Sequence, residues 1–253
     1  MFFLYLMIGL VSGFGSSFLG IGAGVFVMPA LLILGTPYLN AVHISLIVVA
    51  ISSLASAINI ARKNSIDWRG VFIMSVSSAF AAILGSLYLI YVIPNHILII
   101  FFAAIMFINV DLLGLVNRKK YNYKVTKKTS NDEEGLISYV FIGALAGLGA
   151  SLLGIGGGIF IVTLLIFLCK YNVKSAVRTS FFVMMSATIF ALLSASTIVT
   201  ISFSEALPAT YGAVVGSLVG LKVIKYIDAD VITKYNYIVS LIIGSTMLLR
   251  LLN

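Results

Sequence analysis

Gly9-Leu-Val-Ser-Gly13-Phe-Gly15-Ser-Ser-Phe-Leu-Gly20-Ile-Gly22-Ala-Gly24-Val-Phe26 returns, 134 residues later, as Gly143-Ala-Leu-Ala-Gly147-Leu-Gly149-Ala-Ser-Leu-Leu-Gly154-Ile-Gly156-Gly-Gly158-Ile-Phe160. Ten of these eighteen positions are identical, where unrelated segments share about one or two, so the chain carries an internal duplication. The correspondence continues at an offset of 135, pairing Ala41-Val42-His43-Ile44-Ser45 with Ala176-Val177-Arg178-Thr179-Ser180, then Gly85 with Gly220 and Pro94 with Ala229. The chain therefore divides into a first repeat at 1–116, a linker at 117–136 and a second repeat at 137–253. Arg118, Lys119, Lys120, Lys124, Lys127 and Lys128, followed by Asp132, Glu133 and Glu134, give the linker the charge of a solvated connection.

The 253 residues are 61% hydrophobic and 9% charged, too little polar surface to cover a water-soluble globule of this size. Lipid must be the main solvent. Apolar stretches near the roughly 20 residues needed to cross a hydrocarbon core occupy 41–61, 70–92, 97–116, 175–199, 203–226 and 231–252. Two more, 2–35 and 137–169, are too long for one simple span. Met1-Phe2-Phe3-Leu4-Tyr5 lacks a basic leader, so the first segment is expected to remain in the mature protein.

Cys169 is the single cysteine, and two histidines with scattered carboxylates show no ligand spacing, which argues against a disulfide, a metal centre or redox chemistry. No cofactor is expected. The net charge of +8 would suit nucleic acid in a soluble protein, but in a membrane protein basic residues first report cytoplasmic loops. Nucleic acid is not expected as a partner; the bilayer is.

The basic residues also choose between two topologies. If 2–35 and 137–169 each cross once, the halves lie parallel and the sixteen Lys and Arg split ten to six. If each segment enters, breaks at its glycines and returns, each half is a hairpin plus three spans and the repeats are inverted. The islands 62–69, 117–136, 170–178 and 222–234 then share one face, holding three, six, three and three basic residues, with Arg250 alone opposite. The positive-inside rule favours this second arrangement, with the linker cytoplasmic and both termini outside. The expected fold is thus an all-α membrane protein of two inverted repeats, each a glycine-broken re-entrant hairpin followed by three transmembrane helices.

A half-helix that starts inside a membrane aims unpaired N–H groups and a positive dipole end at whatever occupies the break, which suits an anion. Gly20, Gly22 and Gly24, with Gly154, Gly156, Gly157 and Gly158, are the candidate breaks, although small residues at this spacing also serve close helix packing. Gly212, Gly216 and Gly220 read as packing alone. Ser16, Ser17 and Ser151 precede the breaks and offer either hydroxyls to an anion or packing contacts. Pro29 helps define the outgoing half-helix, and its counterpart Thr163 offers a hydroxyl to a ligand or to backbone. His43 and Arg178 occupy equivalent positions beside Ser45 and the pair Thr179-Ser180. Arg178 can hold an anion or anchor to lipid phosphate; His43 can relay a proton, donate to substrate or sit capped at the interface.

Ser52, Ser53, Ser56 and Asn59, and Ser186, Thr188, Ser194 and Ser196, form polar stripes that line a cavity or join helices. Asp111 and Glu205 lie near span ends within reach of water, and Asp67-Trp68-Arg69 reads as an interfacial anchor.

The paired motifs ending Gly20-Ile-Gly22-Ala-Gly24 and Gly154-Ile-Gly156-Gly157-Gly158, with Pro29 and Ala176-Val177-Arg178-Thr179-Ser180 after them, resemble the TauE/SafE sulfite exporter family over almost the whole chain. The resemblance implies a prokaryotic cytoplasmic-membrane transporter for sulfite, thiosulfate, sulfonates or related organic anions. A secondary transporter of a small anion is the expected function, with a proton or sodium ion as a possible coupling partner. A passive channel is the alternative, and an intramembrane enzyme built on Ser151 lacks a histidine in the second half.

Overall fold

The computed structural model describes residues 1–61, 66–118, 133–195, 203–224 and 226–251. Lys119 to Asp132 of the linker, Ser196 and most of the 200–204 connection lie outside them. The described residues form α1 (Phe2–Leu19), α2 (Gly24–Ile33), α3 (Tyr38–Ile60), α4 (Trp68–Leu84), a π-helical turn (Gly85–Leu89), α5 (Ile90–Val92), α6 (Asn95–Arg118), α7 (Glu133–Leu153), α8 (Gly158–Phe167), α9 (Val173–Ala195), α10 (Phe203–Val223) and α11 (Ala229–Leu251). Eight helical segments among them are long and apolar enough to cross a membrane, α1 and α7 included. The chain is an all-helical, multi-pass membrane protein. At 10 residues each, α2 and α8 are about 15 Å long and fall short of a hydrocarbon core.

Local chemistry sets the ends. Asp67 caps α4 by accepting the Gly70 N–H at 3.1 Å, satisfying an amide that a helix start leaves free. Pro37, with φ −56 and ψ 144, starts α3 with its dihedral already set and no N–H to lose. α1 and α7 stop where Gly20 and Gly154 take left-handed angles of 72° and 66°.

The strongest packing joins the halves: α1 along α10, α4 along α7, α6 along α11 and α3 along α9. The first two are face-to-face contacts of small residues, the mode that works where lipid removes any hydrophobic drive between helices. Gly9 lies on Ala209, Gly13 on Ala213, and Gly216 and Gly220 lie on Leu10 and Phe14; rising numbers meet rising numbers, so α1 and α10 run in the same direction. Gly143 on Met74 and Gly147 on Ser78 give the same direction for α7 and α4. α4 also runs with α9: the Trp68 and Phe182 rings meet edge-on at 5.0 Å, Ser78 and Ser186 hydroxyls at 3.1 Å, and Ser86 Oγ donates to Ala191 O at 3.2 Å. The packing reading of Gly212, Gly216 and Gly220 is borne out.

Candidate functional site

The two helix breaks meet. A Cβ at Gly24 would collide with the Gly154 carbonyl oxygen and come 2.8 Å from Ile155 Cα, and one at Gly158 would come 2.6 Å from the Ile21 carbonyl carbon. Gly22 and Gly156, at φ 90 and 73, hold angles that cost an L side chain about 1–2 kcal/mol. Ile21, Ala23 and Ile155 are fully buried.

Each break is fastened by a serine of the other repeat. Ser45 Oγ on α3 donates to Gly154 O at 2.6 Å, and its equivalent Ser180 Oγ on α9 donates to Gly20 O at 3.0 Å. Val42 and Val177 back the same two glycines, and Val49 and Met184 the next pair, Gly156 and Gly22. Two copies of one arrangement thus face each other between α3 and α9.

The backbone amides matter most. After the breaks, Val25, Phe26 and Val27 donate to Gly22 and Ala23, while Phe160 and Ile161 donate to Gly157. Among the described residues, the N–H groups of Gly22, Ala23 and Gly24, and of Gly156, Gly157 and Gly158, make no backbone hydrogen bond, and neither α2 nor α8 has a side-chain N-cap. A buried amide without a partner costs free energy that water cannot repay inside a bilayer, and an anion is the ligand that satisfies several at once.

The other sequence-derived candidates divide. Ser16 and Ser151 are spent on helix carbonyls, at 3.0 Å to Gly13 O and 3.0 Å to Gly147 O. Ser17 Oγ, Thr179 Oγ1 and Ser56 Oγ are buried without a partner. His43, 2% exposed, bonds Leu39 O at 2.5 Å through Nδ1, leaving Nε2 buried and unpartnered. Val177 and Ser180 face Gly20, so the partly exposed Arg178 sits about 100° around α9 from Val177 and about 160° from Ser180, off the face that meets the turn. The Thr163 hydroxyl donates not to backbone but to Asn109 Oδ1.

Asn109 is a residue the sequence reading passed over. Its Nδ2 donates to Ser240 Oγ at 2.8 Å and Asn236 Oδ1 at 3.3 Å, joining α6, α8 and α11. An asparagine inside an apolar span was the available signal. Asn109→Leu is expected to lower stability to denaturant by about 1–2 kcal/mol, the range of interhelical polar contacts in membranes, while transport survives. Lost transport at unchanged stability would move this network into the substrate path.

Asp67 also does more than mark an interface. Its Oδ2 accepts Tyr171 Oη at 2.7 Å and Tyr139 Oη at 3.1 Å. Burial alone would raise its carboxyl, but hydrogen bonds from Tyr171, Gly70 and Tyr139 outweigh it and hold the group below the usual carboxylate range.

Long apolar helices packed around two buried turns define a multi-pass membrane protein. Residues 5–247 match the family described as Sulfite exporter TauE/SafE, and the chain belongs to that family. It is 24% identical to the probable membrane transporter protein YunE of Bacillus subtilis over 98% of this chain and 97% of that one. It is 29% identical to a probable membrane transporter protein of Methanocaldococcus jannaschii over 76% of this chain and 71% of the relative. The family and both relatives support a membrane transporter.

Proposed function

We propose that the protein is a secondary transporter of a small anion, a sulfur oxyanion or organosulfonate, bound between the two glycine turns and exposed to each side in turn. The observation that carries the reading is the pair of opposed turns whose amides have no partner, each turn clasped by a serine of the other repeat. A tetrahedral or planar oxyanion offers acceptors in several directions, and a buried site needs no fixed positive side chain when amides and helix starts supply the field.

The architecture behind it is a pair of inverted repeats with re-entrant hairpins. Two contacts support the hairpins: the Tyr171 hydroxyl, beyond α8, lies 3.0 Å from that of Tyr139 in the early turns of α7, and Thr36, beyond α2, lies close to Tyr5 near the start of α1. Both support a return of each segment to the side it left. Helix directions support inversion. The eight steps from Ala195, the end of α9, to Phe203, the start of α10, reach at most about 26–29 Å, less than the roughly 34 Å length of α9, so the two helices run oppositely. With α4 and α7 running along α9, and α1 along α10, α1 opposes α7. With these directions the positive-inside rule supports a cytoplasmic linker, with Arg250 on the opposite face.

The test is uptake into proteoliposomes of a panel containing sulfite, thiosulfate, taurine, sulfoacetate, acetate and chloride. Saturable uptake of a sulfur anion, accelerated by the same anion preloaded inside, is the expected result. Flux linear in concentration with no such counterflow would overturn the carrier in favour of a channel.

A further inference from the structure

We infer that two carboxylate–tyrosine clusters, one at the mouth of each hairpin, are latches that close the two sides of the transport path; this rests on the alternating-access reading above. Tyr139 belongs to α7 and Tyr171 follows α8, so Asp67, which accepts from both, ties the two legs of the second hairpin to the first turn of α4 in the first repeat. In the other repeat, Tyr5 on α1 lies within electrostatic reach of both Thr36, beyond α2, and Glu205 in the first turn of α10. The legs of the first hairpin thereby come together beside the second repeat.

The two connections are one device built twice. Tyr5 and Tyr139 are equivalent at the offset of 134, and Thr36 and Tyr171 at 135. The carboxylates differ by less than one turn, since Glu205 matches Gly70 and Asp67 lies three residues earlier. Neither cluster touches the glycine turns, so anion binding does not explain the repetition. What they share is position: each sets the residue that follows a short half-helix, Thr36 after α2 and Tyr171 after α8, beside a tyrosine of its own repeat and a carboxylate of the other. Hydrogen bonds to a carboxylate are strong while formed, and at a membrane face water can replace them on opening, which makes the link reversible where a buried one would not be. Both are closed here, and the turns between them are buried from both sides.

The Asp67 latch also has a defined pH range. Because hydrogen bonding holds its carboxyl below the ordinary value in the folded chain, the latch is fully present above that ordinary value and is lost only as pH falls through the lowered one. Neutral pH leaves it shut.

Cys169, the single cysteine, reports on this mouth. It is partly buried, and burial together with the nearby Asp67 charge raises its thiol to about 11, so a maleimide should react slowly with the resting protein. Tyr171→Phe removes a latch bond but keeps the Asp67 charge. In the reconstituted full chain it should speed labelling of Cys169 by about tenfold, the effect of one hydrogen bond to a charged group. Glu205→Gln, which releases the opposite latch, should leave labelling unchanged or slower, because opening one side keeps the other closed. Labelling of Tyr171→Phe at the wild-type rate overturns the proposal, and so does equal acceleration by both variants, which is general loosening. If Tyr171→Phe fails to fold, Tyr139→Phe is read in the same way. The panel of anions separates the two readings. Faster labelling in a protein that carries none of them removes the transport assignment but supports the latch. Unchanged labelling with intact uptake removes the latch alone.

Discussion

Gly24→Leu and its repeat equivalent Gly158→Leu should each cut anion transport by about a hundredfold or more while the protein still inserts and folds. Neither glycine has a positive φ, so the cause is space, not backbone strain. At Gly24 the new side chain meets the Gly154 carbonyl, Ile155 Cα at 2.8 Å and Ser45 Oγ at 2.9 Å; at Gly158 it meets Met184 Sδ and the Ile21 backbone. Met184 and Ser45 can turn away, but the opposing turn is backbone and cannot. Overpacking of a tight site costs about 1–3 kcal/mol, and here the upper figure falls on the surface proposed to bind the anion. Gly15 and Gly149 make the contrast. A Cβ there would meet only the rings of Phe26 and Phe160, at 2.8 and 2.6 Å, and rings can swing, so alanine at either position should be far milder. Initial rates normalised to reconstituted protein decide the matter: wild-type flux in either leucine variant removes the glycine turns from the path.

The breaks were legible because their cause is local. A glycine-rich run inside an apolar segment has few ways to continue as a helix, and its repetition shows that the break is part of the design. Helix limits were legible for the same reason, with 41–61 becoming Tyr38–Ile60 and 70–92 matching the run from Trp68 to Val92. Partners were not legible. Nothing in the neighbourhood of Ser45 or Ser180 says that each will reach the glycine carbonyl of the opposite repeat, since that depends on how two distant segments cross. The same holds for Asn109 with Asn236 and for Asp67 with Tyr139 and Tyr171. His43 and Arg178 show the limit of the repeat itself. One register position left the histidine buried and the arginine partly exposed, because the elements packed around each copy differ. Ser45 and Ser180 kept one role because both face the duplicated turns.

Gly13→Leu and Gly147→Leu should have a larger effect still, on assembly. α1 rests on α10 with backbone against backbone: Gly9 and Gly13 lie on Ala209 and Ala213, while Gly212, Gly216 and Gly220 receive the carbonyl oxygens of Leu6, Leu10 and Phe14. In a bilayer no hydrophobic force holds these helices together. Their attraction is close van der Waals packing and weak Cα–H···O contacts, both of which vanish as the axes separate. A leucine at Gly13 would collide with the Ala213 backbone, and the neighbouring small-residue contacts would open with it, so the cost should exceed the roughly 3 kcal/mol of one overpacked site. Gly147 stands the same way against Ser78 and Ala82 on α4. Most of each variant should run as aggregate on size exclusion in mild detergent. Gly135→Leu, with nothing within 4 Å of the new Cβ, should stay monodisperse. A folded Gly13→Leu protein would mean that α1 and α10 tolerate separation, and the pair would then have to be treated as a sliding surface of the transport cycle instead of its fixed frame.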